Sequence, residues 1–333
     1  MFKKILTVFL LTFPFVCFSQ GKISGYMFGD YYYVLKNHDE SLKDQNGFWF
    51  RRIYFTYDYN YNENLFLRFR LELNSPGDFK TKDKIKPFVK DAFLGLNLNK
   101  NHKAYFGISP SPTWEFIENF WGYRAVEKTP GDLYKSGSSR DFGIAFKGKL
   151  SKYFSYHFMF GNGEGEASET EKGKKTMFSF LFNKKGFYTE FYLDDSQEKD
   201  NKDKNMYQLF LGLKKKKFTL GFQAYQQNIK QGEGAKVLKL NVYSAFLNLN
   251  LNEKTVLLFR VDKSDEPNPY ISNQSYIPFD KDHPFILYLF GIDFKAYKDI
   301  SIIPNLTYVN YEKFNGTKAE NDLYFKLTLF FAF

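Results

Sequence analysis

The eleven residues Leu323-Tyr-Phe-Lys-Leu-Thr-Leu-Phe-Phe-Ala-Phe333 constrain the fold more than any other stretch of the chain. Taken by twos, Leu323, Phe325, Leu327, Leu329, Phe331 and Phe333 make an unbroken apolar row, while Tyr324, Lys326, Thr328, Phe330 and Ala332 make a mixed one. Period two is the signature of a strand, whose side chains alternate between faces. One face must therefore meet an apolar medium, and the other a medium that accepts an ammonium and a hydroxyl. If the apolar medium is lipid, every backbone N–H and C=O must be paired within the protein, and with strands only a closed barrel achieves this.

The same alternation recurs along the chain. Segments at 23–35, 48–60, 65–74, 90–98, 103–109, 140–150, 153–161, 176–182, 187–193, 206–213, 218–228, 237–250, 255–262, 285–296, 300–311 and from about 321 read as roughly sixteen strands. Their connections alternate in length: Asn183-Lys-Lys-Gly186, Lys214-Lys-Lys-Lys217 and Tyr297-Lys-Asp299 are short, whereas 36–47, 75–86, 162–175, 194–205 and 263–283 are long and polar. Outer-membrane barrels place short turns on the periplasmic side and long loops outside, and an even strand count returns both chain ends to one side.

Composition narrows the choice further. Aromatic residues make up 21% of the chain, yet the mean hydropathy is −0.46. Barrels reconcile the two by placing rings in lipid-facing rows and interfacial girdles. A secreted β-sandwich or propeller is the competing all-β architecture, and the Gly-rich repeat of fixed period it would need is not found. The expected fold is all-β: a transmembrane antiparallel up-and-down β-barrel of about sixteen strands, forming a single domain over 21–333. Sixteen to eighteen strands leave an aqueous channel, whereas eight are filled by their own side chains.

Residues 1–20 read as a removable signal peptide, with the basic start Met1-Phe-Lys-Lys4, an apolar run Ile5–Phe18 and a cleavage region at Ser19-Gln20-Gly21. The run is too short for a spanning helix. Cys17, the sole cysteine, follows Val16 where a lipoprotein needs a small residue, so neither lipidation nor a disulfide is expected. The net charge of +10 is spread over lysines in turns and loops. It forms no basic patch interleaved with stacking rings, so nucleic acid is not an expected partner. His38, His102, His157 and His283 lack metal-ligand spacing, and no cofactor is expected. His157 faces inward by parity, but no nucleophile motif accompanies it, so no enzymatic activity is expected. Asn162-Gly-Glu-Gly-Glu166 lacks regularly spaced carboxylates and reads as a flexible loop.

Parity also nominates the channel lining. In the second strand Arg52, Tyr54, Thr56 and Asp58 face in; in the third, Phe66, Arg68, Arg70, Glu72 and Asn74; in the thirteenth, Arg260 and Asp262. Asp30, Asp91, Glu190 and Asp293 join them. Arg51 breaks the pattern and is expected on the lipid face near a loop end, where a charge costs little. The longest connection without alternation runs from Ser109 to Ser139, after the fifth strand. Loops of this length inside one domain are functional or disordered, and Trp114, Phe116, Ile117, Phe120, Trp121 and Tyr123 are too many apolar groups for a solvated tail. They call for burial inside the barrel, which makes this an inward-folded constriction loop. It brings Glu115, Glu118, Glu127 and Asp132 against Arg124, Lys128 and Lys135. Two readings stand. These charges set a transverse field across the pore with Arg52, Arg68 and Arg70, or they pair off and merely pin the loop.

Phe50-Arg-Arg-Ile-Tyr-Phe-Thr-Tyr-Asp58, Gly107-Ile-Ser-Pro-Ser-Pro-Thr-Trp114, Trp121-Gly-Tyr-Arg-Ala-Val-Glu-Lys-Thr-Pro130 and Ser138-Ser-Arg-Asp-Phe-Gly143 resemble porin-like outer-membrane proteins. The resemblance is to the broad phosphate-selective porin O/P group in its Bacteroidetes-like form. The final strand likewise resembles the closing strand of bacterial outer-membrane barrels, in which a terminal Phe belongs to the assembly signal. The resemblance implies a water-filled channel for passive diffusion of small polar or ionic solutes. Its surroundings would be outer-membrane lipid and lipopolysaccharide, and homotrimers are common among such porins. Phosphate selectivity is not implied, because the arginine ladder is missing and the lumen also holds acids. The alternatives are a loop-plugged barrel serving as surface adhesin or receptor, and a barrel hydrolase.

Overall fold

A computed structural model describes residues 21–76, 82–170, 172–271 and 278–333; the leader lies outside the described residues. Sixteen strands follow one another: β1 (Gly21–Lys36), β2 (Asn46–Asn60), β3 (Leu65–Asn74), β4 (Lys86–Asn97), β5 (His102–Pro110), β6 (Arg140–Lys149), β7 (Phe154–Gly161) and β8 (Lys175–Lys184). The second half comprises β9 (Phe187–Ser196), β10 (Lys204–Lys214), β11 (Phe218–Ile229), β12 (Leu238–Asn250), β13 (Thr255–Ser264), β14 (Phe285–Tyr297), β15 (Ile300–Tyr311) and β16 (Asp322–Ala332). Each pairs antiparallel with its neighbours in sequence, and β16 pairs with β1, so the barrel is closed. The seam ends in a reciprocal pair of bonds, Gly25 N–H to Phe333 O at 3.0 Å and Phe333 N–H to Gly25 O at 2.9 Å.

The short turns have identifiable causes. Asn62 Oδ1 accepts from the N–H groups of Asn64 and Leu65, and Asn99 Oδ1 from those of Asn101 and His102. These are side-chain-closed turns of the kind Asn forms most readily. At the β8–β9 hairpin Lys185 and Gly186 both take positive φ, 54° and 84°, which matches the strand twist in a two-residue turn.

Alternation fixes what each face presents. On β16, Leu327 and Leu329 are exposed outward, while Tyr324, Lys326 and Thr328 are buried inward. On β13, Phe259 and Val261 are exposed outward, while Arg260 and Asp262 are buried. The outer surface is a belt of Phe, Leu, Ile and Tyr that includes Phe106, Phe142, Phe191, Phe222 and Phe290.

Two bulges correct the parity reading. The β1–β2 register passes from Phe28↔Arg52 to Gly29↔Phe50 and skips Arg51. One extra residue on a strand turns two consecutive side chains to the same face. Arg51 is therefore buried on the inner side beside Arg52, ion-paired to Asp30, and not on the lipid face. The β3–β4 register likewise passes from Arg70↔Asp91 to Leu71↔Val89, so Lys90 and Asp91 are both buried inside.

Candidate functional site

Between β5 and β6 the chain leaves the wall. Trp114 starts the seven-residue helix α1 (Glu115–Trp121), which ends at Gly122 in the left-handed conformation, φ 74°, where glycine carries no Cβ penalty. Pro130 opens a further turn, α2 (Pro130–Leu133), where its missing N–H costs nothing. Trp114, Ile117, Phe120 and Trp121 are buried against the inward-facing Phe210 and Phe246. Phe120 meets Phe210 at 5.1 Å between centroids, and Trp121 meets Phe246 at 4.8 Å. Gly212 leaves room for Phe120: a Cβ there would come within 2.6 Å of the ring.

Polar contacts carry the segment around the far side of the barrel. Gln208 Nε2 donates to Thr113 O at 3.1 Å, Asn248 Nδ2 to Trp121 O at 2.9 Å, and Gln227 Nε2 to Ser136 O at 2.8 Å. Tyr123 and Tyr134 donate their hydroxyls to Asp293 and Asp262, at 3.1 and 2.7 Å. Arg260, ion-paired to Asp262, donates to Lys128 O. Lys326 Nζ lies 3.0 Å from both Val126 O and Glu127 Oε2, while Arg51 donates to Ala125 O and Val126 O. Burial alone would raise the Glu127 carboxyl, but the Lys326 ammonium and Arg51 hold it well below the usual carboxylate range.

The opposite arc, β2 to β6, carries most of the candidate wall charges. Arg68 grips Asp58 with two bonds, Nε–Oδ1 at 2.6 Å and Nη2–Oδ2 at 3.0 Å. Arg52 Nε donates to Glu72 Oε1 at 3.2 Å. Lys90 lies 3.3 Å from Glu72 and also pairs with Glu166. Asp91 takes Arg70 at 3.1 Å and Arg140 as well. Facing them, Arg124 lies 3.2 Å from Glu118 and 3.3 Å from Asp132. Asp132 is lowered to about 2: burial raises it, and Lys128, Arg124 and Arg52 outweigh that. Lys128 is lowered to about 8 by burial, with Arg124 and Lys135 adding to the effect and Asp132 opposing it.

The nominated residues thus fall into two groups. Arg52, Asp58, Arg68, Arg70 and Glu72 share one arc, and Glu118, Arg124 and Lys128 belong to the segment with them. Arg260 and Asp262 are engaged on the far side in contacts that hold the segment, and Glu127 is held near the closing seam by Lys326 of β16, with Arg51 of β2 beside it. Glu115 stands apart, paired with Lys147 and 3.3 Å from His157 Nδ1. Parity reading missed Arg51 and Lys90. Its available signal was a charged doublet, Arg51-Arg52 and Lys90-Asp91, inside an otherwise alternating strand. Among the described residues no group of three His, Cys, Asp or Glu side chains could hold a metal ion.

No protein-family model and no curated protein sequence matches the chain. Among solved structures it is similar to the anion-selective porin from Comamonas acidovorans, at 13% identity and TM-score 0.67, covering 94% of this chain and 99% of that one. It is similar to OmpF of Salmonella typhi in complex with daunomycin, at 11% identity and TM-score 0.70, covering 94% and 97%. A trimer form of OmpT of Vibrio cholerae gives 10% identity and TM-score 0.64, covering 94% and 99%. At such identities the likeness is one of fold.

Proposed function

We propose that the chain is an outer-membrane porin, a water-filled channel for passive diffusion of small polar or ionic solutes. In this reading the segment 111–139 folds inward and is the constriction, leaning on the far arc and leaving the solute path along β2 to β6. The observation that carries it is the contrast in solvent access. The Arg260 and Asp262 side chains are 1% and 0% exposed, whereas Arg68 and Asp58 keep 30% and 34%. Ion pairs inside a barrel that stay one-third exposed are reached by water from a lumen.

Arg52, Asp58, Arg68, Arg70 and Glu72 then line the wall, with Glu118, Arg124 and Lys128 across from them. Arg260, Asp262, Glu127 and Glu115 hold the segment in place. The outward belt of Phe and Leu suits lipid, with lipopolysaccharide as its outer leaflet, and a homotrimer is the assembly we propose. Kinship with the phosphate-selective porin O/P group rests on the four motif stretches alone. Phosphate selectivity does not follow, since Arg52, Arg68 and Arg70 are each matched by a carboxylate.

One observation favours the loop-plugged receptor instead. Arg52 and Glu72 are only 7% and 6% exposed, so the passage at their level is narrow. A single-channel recording separates the two readings: a steady conductance supports the porin, and its absence from correctly inserted barrels supports the plug. The hydrolase has less support, since Glu115, itself tied to Lys147, is the partner of His157 and no hydroxyl hydrogen-bonds to that histidine among the described residues.

A further inference from the structure

One patch of the open arc is aromatic, and Glu115 of the segment faces it across a cavity. Phe66 on β3, Phe93 on β4 and Tyr105 on β5 face inward and meet edge to face. Their centroids are 6.4 Å (Phe66–Phe93), 6.0 Å (Phe66–Tyr105) and 5.3 Å (Phe93–Tyr105) apart, with interplanar angles of 89°, 84° and 78°. Gly95 makes this possible, because an added Cβ would fall 2.2 Å from the Phe66 ring. Phe93 is buried beneath the other two, which are half-buried. Together they line a cavity of about 240 Å³. A second cavity of about 590 Å³ shares Lys103, Tyr105, Glu115, Lys147 and His157 with it and runs to the short-turn end at Lys100 and Asn101.

The charges around these rings are unequal. Arg68 is taken by Asp58, and Lys147 by Glu115. Lys103 is different. Its ammonium is exposed, sits 5.3 Å from the centre of the Phe66 ring, and among the described residues makes no ion pair. On the strands, Arg51, Arg52, Arg68, Arg70, Lys90, Arg140, Lys147, Arg260 and Lys326 each have a carboxylate. Here an unneutralised cation stands at the rim of an aromatic floor, inside a cavity large enough for a ring.

We propose that this cavity is a binding site for small aromatic anions, with the ring on Phe66, Phe93 and Tyr105 and the anionic group on Lys103. A small inorganic or aliphatic anion gains only the attraction of an exposed lysine, which salt screens. A neutral ring gains only the apolar contact. An aromatic anion gains both, and aromatic pairs add an edge-to-face preference to the area they bury. Pockets of this make-up, mostly apolar with one charged anchor, are the usual form of small-molecule sites. The proposal depends on the channel reading only for how the solute arrives.

The test is titration calorimetry on the detergent-solubilised whole barrel with benzoate, acetate, inorganic phosphate and benzyl alcohol, paired with bilayer recordings. Benzoate is expected to bind at least about tenfold more tightly than any of the other three. Lys103→Gln and Phe66→Leu are each expected to weaken benzoate about tenfold while the folded gel band is unchanged. Equal affinity for acetate or phosphate would reduce the site to charge, and equal affinity for benzyl alcohol would reduce it to grease. Either result overturns the proposal, as does an unchanged benzoate affinity in either variant. Conductance without benzoate heat rejects the site alone; benzoate heat without conductance rejects the channel reading and leaves the site standing.

Discussion

The two halves of the inner wall solve different problems. From β8 to β14 the inward positions include Met177, Met206, Phe210, Leu240, Val242, Phe246, Leu258, Leu287 and Leu289, all buried. From β2 to β6 they include Arg52, Asp58, Arg68, Arg70, Asp91, Lys103 and Lys147. A water-filled lumen has no use for the first set, because apolar surface left in water forfeits about 25 cal/mol per Å². Those residues are covered by segment 111–139, so for this part of its circumference the barrel has a protein core. In the second set Asp58, Arg68, Lys103 and Lys147 keep solvent access, while Arg52 and Asp91 are buried in ion pairs.

The strongest way to break this contrast is to unpin the segment on its dry side. Asp262→Ala would leave the Arg260 guanidinium buried and unpaired and would take the acceptor from Tyr134. Removing one partner of a buried pair costs about 3–5 kcal/mol, whereas replacing both with apolar groups of like volume is near neutral. We expect the single variant to lower the temperature at which the folded gel band disappears and to make the channel noisy. Arg260→Met with Asp262→Leu should recover most of the stability. Equal losses in the single and double variants would show that the pair does more than satisfy itself.

Next in size is removal of the covering itself. Deleting 118–132 strips Trp121 from Phe246 and Tyr123 from Asp293. Single-channel conductance should rise several-fold and larger solutes should pass. An unchanged conductance would put the solute path elsewhere.

Much of this contrast was already written in the sequence. The period-two rows located all sixteen strands, most to within a few residues, because one face of each must be apolar outside and a one-residue slip would turn it inward. Leu65–Asn74 and Ile300–Tyr311 fall where alternation begins and ends. The bulges escaped it. A parity argument carries its phase along the strand, and an inserted residue resets that phase with no change in residue type. The doublets Arg51-Arg52 and Lys90-Asp91 were the only trace. Pairings were illegible for another reason: Lys326 meets Glu127 across 199 residues of chain, and only barrel closure brings them together. Hence parity alone could not sort the charged candidates into those that face water and those that fasten the segment.

The open arc offers a gentler perturbation. Arg68→Glu with Arg70→Glu would leave Asp58 and Asp91 with fewer partners and add two acids beside them. The reversal potential in a salt gradient should move toward cation preference, and the shift should shrink at high salt as the Debye length falls from about 10 Å at 0.1 M to about 3 Å at 1 M. The same double exchange at Arg260 and Lys326 should mainly cost stability, since those groups serve the dry side. If the two exchanges move selectivity equally, the division into a wet and a dry arc fails.

The smallest effect expected is a pH step from Lys128, which sits in the segment between the two arcs. Burial, aided by Arg124 and Lys135 and opposed by Asp132, lowers it to about 8 from its ordinary 10.5. Below pH 8 the ammonium adds one positive charge opposite Arg52; above it that charge is gone. Anion preference should therefore decline as pH rises through about 8, and Lys128→Gln should flatten that decline at the high-pH value. The linkage has a definite sign. Between pH 8 and 10.5 the unfolded chain holds the proton that the folded chain has released, so stability should increase with pH across that window and level off beyond it. Glu127 provides the internal contrast, because its carboxyl is held far below its ordinary 4.5. Its tie to Lys326 is fully present above pH 4.5, is lost only as pH falls through the lowered value, and contributes no step near pH 8. A selectivity step at pH 8 that survives Lys128→Gln would assign the titration to another group and leave Lys128 off the solute path.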